Sequence, residues 1–140
     1  MMAKTGKEIE QDIYTMVRNS QIATDINGDV YRGGMRPRDS KLEDAIVRFT
    51  AGLPDEIETG VVTINIYVPN VDPYENGVWV ESPRTTALSA VANEWVKSLK
   101  AADSNYIFHL RETIHTVEEP SINQHFVVVK LGYRYYDERE

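Results

Sequence analysis

A chain of 140 residues, 41% hydrophobic and 26% charged, is an ordinary single globular domain, long enough to bury a real core. It has no cysteine, which excludes disulfides, thiolate metal ligands and thiol nucleophiles. No apolar run approaches the ~20 residues of a membrane helix, and the amino terminus lacks the apolar stretch of a secretory signal. The formal charge of −7 is uneven: residues 1–52 carry eight Lys/Arg and eight Asp/Glu, residues 53–140 seven and fourteen. A solvated acidic surface is therefore expected. Non-specific DNA binding through a broad basic face is not expected, because counterion release needs clustered cations. The only cluster along the chain is Arg32, Arg36, Arg38, Lys41 and Arg48, interrupted by Asp39, Glu43 and Asp44.

In chain order, Thr5 and Glu8 fit a capping box, and Ile9, Ile13, Met16 and Val17 recur at helical spacing. Asn27-Gly28 marks a turn before a short extended piece at Val30-Tyr31. Gly33-Gly34 let the chain turn again, and Arg36-Pro37 holds the next piece extended. Residues 42–50 alternate at Ala45, Val47 and Phe49 and read as a strand, although Ser40 and Glu43 also fit a capping box. Residues 51–60 read as a connector. The clearest strand follows, with Val62, Ile64, Ile66 and Val68 on one side and Thr63, Asn65 and Tyr67 on the other.

Residues 69–83 form a long loop with three prolines and an Asn-Gly, a length often associated with function or disorder. Ser82 and Pro83 then open a helix carrying Leu88, Val91, Ala92, Trp95, Val96 and Leu99 on one stripe. Two strands finish the chain. Tyr106, Phe108, Leu110 and Ile114 share a phase in the first, and Val127, Val129, Leu131, Tyr133 and Tyr135 in the second, before a short acidic tail at 137–140. The order α-β-β-β-α-β-β implies an α+β fold, with two helices on one face of a mostly antiparallel sheet.

No constellation for catalysis is present. There is no Gly-x-Ser-x-Gly elbow, and Gly33-Gly34 fit neither a dinucleotide nor a phosphate-loop glycine spacing. His115 and His125, with Glu118 and Glu119 between them, have the ligand chemistry of a zinc site. Their strand phases place the two rings on opposite faces, so no metal or other cofactor is assigned. Trp79, flanked by Val78 and Val80 in the long loop, is costly to leave in water. Either the loop folds back and buries it or a partner does, and Tyr74 is weaker evidence of the same kind.

Several of these patterns occur together in one family. The leading amphipathic helix, "INGDVYRGGMRP", "EDAIVRF", "TGVVTINIYVP", a variable loop, a helix and a final hairpin resemble the small tail-completion or tail-terminator proteins of tailed phages and prophages. The likeness runs from about residue 5 to 136. It implies a non-enzymatic head–tail joining protein that forms a ring, commonly a hexamer, on the tail tube. Its partners are then itself, tail-tube and head-connector proteins, with DNA at most passing non-specifically through the lumen and no membrane. Its location is then the bacterial cytoplasm during assembly, and the virion of a functional phage. The alternative is a small protein-binding or regulatory module, monomeric or dimeric. Composition and exposure nominate Arg32, Arg36, Arg38, Tyr74 and Trp79 as interface residues. On this reading the basic turn meets the acidic part of a neighbouring copy, and reversal of Arg36 and Arg38 leaves the monomer folded.

Overall fold

Two long strands carry the molecule. In the computed structural model, which describes residues 4–53, 58–101 and 104–136, β3 (Glu58–Pro69) and β6 (Gln124–Tyr135) lie antiparallel along their whole length, from Glu58 opposite Tyr135 to Pro69 opposite Gln124. On the other side of β3 lies β2 (Asp44–Leu53), antiparallel, with the short β1 (Val30–Arg32) parallel to it. The far edge of β6 holds β4 (Tyr106–Leu110) and β5 (His115–Glu119), both antiparallel. The fold is α+β, with a six-stranded, mostly antiparallel sheet.

The helices are α1 (Gly6–Arg18), α2 (Gln21–Asp25) and α3 (Arg84–Ser98). The Thr5 hydroxyl accepts the Glu8 N–H while the Glu8 carboxylate accepts the Thr5 N–H, so the expected capping box starts α1. In α3, Pro83 is already helical and the Ser82 hydroxyl accepts the Arg84 N–H at 3.1 Å. Ile9, Ile13 and Val17 of α1, Ile22 of α2, and Leu88, Ala92 and Trp95 of α3 are buried in one cluster. The same cluster takes Ala45 and Val47 of β2, the Val62–Val68 alternation of β3 and Val127, Val129 and Leu131 of β6. Each such large aliphatic side chain contributes about 1.5–3 kcal/mol on leaving water.

Three expectations need correction. A third helix, α2, is present; it is one turn long, started by Ser20 accepting the Ile22 N–H, too short to show a period. Residues 51–53 and 58–60 of the expected 51–60 connector are strand, while residues 54–57 and the acidic tail at 137–140 lie outside the described residues. The first carboxy-terminal strand is broken in two. Leu110 faces Leu131 and His115 faces Val128, so residues 111–114 bulge opposite 129 and 130. An insertion of even length keeps the side-chain phase, and Ile114 still packs on the core beside Phe108 and Leu110.

Two buried tyrosines make the fold sensitive to alkali. Burial first, then a hydrogen bond from its hydroxyl to Asp12 Oδ2 at 2.7 Å, pushes the Tyr106 phenol far above its usual range. Burial, with the Glu58 charge second, pushes Tyr133 up to about 12. Both folded values lie above the unfolded value of about 10. The native state therefore keeps protons that the unfolded chain has lost, and stability is full below about pH 10 and falls as pH rises through 12. Urea unfolding across pH 9 to 12 should show this decline, with a shallower slope in Tyr106→Phe.

Candidate functional site

The arginine segment is largely committed inside the chain. Gly34, at φ 81°, takes the turn after β1. Arg32 then reaches back to α1, donating to Glu10 Oε1 at 3.2 Å, Gln11 Oε1 at 3.0 Å and the Lys7 carbonyl at 3.2 Å. Arg36 goes further. Its Nε donates to Asp44 Oδ2 at 2.8 Å, and its Nη2 to the Leu42 carbonyl at 3.1 Å and Gln124 Oε1 at 2.9 Å. The guanidinium also lies 4.5 Å over the Tyr67 ring. Its side chain is 9% exposed and that of Asp44 is 0% exposed. Folding therefore accounts for Arg32 and Arg36, against the expectation that they stand free for a neighbour. Arg38 is exposed, with no ion pair to any described residue.

The 69–83 loop is ordered by its own polar groups. The Asp72 carboxylate accepts the N–H groups of Asn76 at 3.1 Å and Gly77 at 2.8 Å, and Asn76 Oδ1 accepts that of Val78. Val71 and Val80 exchange backbone hydrogen bonds at 2.9 Å, closing the loop. Held this way, Tyr74 is 82% exposed and Trp79 53%, with Val78 and Val80 also exposed. Of the two fates open to Trp79, burial within its own chain is ruled out. The only charges between residues 70 and 83 are Asp72, Glu75 and Glu81.

The sheet has a second face, opposite the one on which the helices bury their apolar sides. Its residues follow from the register. Arg48 stands beside Thr63 and Lys130, Val61 beside Gly132 and His109, and Arg134 beside Ile107. Gly132 leaves room there for the His109 ring, which a Cβ would push aside. Arg48, Arg111, Lys130 and Arg134 form no ion pair with any described carboxylate. A face with more cations than carboxylates, Glu119 opposite Gln124 among the latter, therefore exists on an acidic chain, assembled from residues 48 to 134, where linear order showed a cluster only at 32–48.

The histidines separate as their phases require. His115 pairs with Val128 on the cationic face, its Nδ1 2.9 Å from the Thr113 carbonyl. His125 lies with the helix-side residues, its Nδ1 2.7 Å from Asn70 Oδ1 and Nε2 3.9 Å from Glu81. Among the described residues, no three His, Asp or Glu side chains are grouped to hold a metal ion. A hollow of about 540 Å³ between α1 and α3 is lined by Thr15, Met16, Trp95, Ser98 and Leu99. The carboxylate on its rim, Glu94, is paired with Lys97.

Two substitutions separate structural from free polar groups. Arg36→Leu leaves the Asp44 carboxylate buried without its cation and should lower stability by about 3–5 kcal/mol. Arg38→Ala should change it by less than about 0.5 kcal/mol. Both are read from urea midpoints at constant slope. Asn65 Oδ1, buried on the cationic face with no partner among the described residues, gives the opposite sign: Asn65→Val should raise stability by about 1 kcal/mol.

No protein-family model and no curated protein matches this chain. A solved structure whose name describes no activity is 16% identical and aligns with 95% of this chain and 98% of its own, with a TM-score of 0.45.

Proposed function

We propose that this protein is a non-enzymatic structural subunit that associates with copies of itself, of the kind that caps a phage tail tube and joins it to the head. The observation that carries the reading is the 69–83 loop. A tryptophan and a tyrosine held in solvent by an internal hydrogen-bond scaffold form a ready contact surface. Exposed apolar clusters of this sort mark interaction sites, and aromatic residues dominate the energetics of such contacts. The tail-terminator reading is supported by the sequence patterns around Gly28, Val30, Tyr31 and Arg36-Pro37 and by the strand ending in Tyr67, Val68 and Pro69. It brings with it a ring on the tube, head-connector partners and DNA passing non-specifically through a lumen.

Sedimentation velocity over a wide concentration range, with negative-stain microscopy, tests the reading. Closed rings, or rings formed on addition of tail tubes, are the expected result. A protein that stays monomeric at every concentration and ignores tail tubes is instead the small binding module, and the structural reading falls.

A further inference from the structure

The two surfaces described above are complementary, and they belong to different parts of the same chain. The cationic face combines Arg48, Lys130 and Arg134 with the exposed apolar side chain of Ile107 beside Arg134; Val117 and Glu119 share the face further along β6, opposite Phe126 and Gln124. The loop combines Glu75 and Glu81 with exposed Tyr74 and Trp79, and holds no cation between residues 70 and 83. We infer that the acidic, aromatic loop of one copy seats on the cationic sheet face of the next. This rests on the self-association reading and names the surfaces that make it.

The loop cannot serve its own face. It leaves the sheet at Pro69, and its described contacts run to Asn123, to His125 and, through Glu81, to Thr85 on α3. These lie at the end of the sheet and on the helix side, away from Arg48, Lys130 and Arg134. A contact between two different surfaces is heterologous and leaves one of each free on every dimer, so it propagates into a ring when the rotation closes. The charges fix the register and speed encounter, and Trp79 supplies the desolvated anchor. A nucleic acid also offers negative charge to this face. Phosphates have no use for the exposed apolar side chain of Ile107 beside Arg134, however, whereas an aromatic loop does.

Two variants test the inference, each altering only side chains outside the core. Lys130→Glu with Arg134→Glu spoils the face and keeps the loop; Glu75→Lys with Trp79→Ala spoils the loop and keeps the face. Circular dichroism and melting confirm that each folds. Wild type should form rings, each variant alone should remain monomeric, and their mixture should give a one-to-one dimer that grows no further. Variants that still form rings, or monomeric variants that never pair on mixing, overturn the inference and leave the self-association reading standing. Wild type that never associates removes both. Binding of a DNA duplex that depends on Lys130 and Arg134, with ring formation unchanged in that variant, reassigns the face to a polyanion and also overturns the inference.

Discussion

The whole molecule depends on the two-residue alternation of β3 and β6 held in one register. Val62, Ile64, Ile66 and Val68 lie opposite Leu131, Val129, Val127 and His125. Once the valines, isoleucines and leucine of that set face the helices, Thr63, Asn65 and Tyr67 must face the other way, with Lys130, Gly132 and Arg134. A slip of one residue would send the aliphatic side chains to water and the cations into the core. The same constraint that buries the hydrophobic set therefore builds the cationic face. Core and surface are two readings of one pairing.

The register is closed at one corner by a polar clamp. Arg36 leaves the segment after β1, meets Asp44 at the start of β2, covers Tyr67 of β3 and donates to Gln124 at the start of β6. Asp44 in turn accepts the Ser40 hydroxyl at 2.5 Å and the Asp29 N–H at 2.9 Å. A buried ion pair adds little net stability over a packed apolar pair, yet breaking it from one side is costly. Its value here is positional. It fixes where the 33–42 segment lies, and that segment covers one corner of the cationic face and leaves the rest open.

The strongly periodic elements were legible because period and burial coincide: α1, α3, β2, β3 and β6 all show their apolar stripe in the sequence. α2 was not legible, since a single turn around Ile22 has no period to display. The break between β4 and β5 was hidden by its own geometry, because an even insertion leaves Ile114 in phase with Leu110. Arg36 misled because its partners, Asp44, Tyr67 and Gln124, come from three strands, and charge counted along the chain cannot see them. The cationic face was missed for the same reason. Sorting charges by strand phase would have placed Lys130 and Arg134 together with Arg48, opposite the valines.

The loop's exposure is a built property. Its exposed aromatic side chains stand on a loop that carries its own hydrogen bonds. Asp72 and Asn76 tie down the turn, and Glu75 is held at φ 53°, a left-handed backbone that costs a non-glycine residue on the order of 1 kcal/mol. Local strain of this size persists only where surrounding bonds over-determine it. With these bonds in place Tyr74 and Trp79 are exposed. A side chain held in place before contact loses less freedom on docking, so pre-ordering converts exposure into affinity. The chain carries an ordered aromatic loop of negative charge and a sheet face with a surplus of positive charge, and the two do not meet within one copy. Those are the two surfaces that the proposed self-association would use.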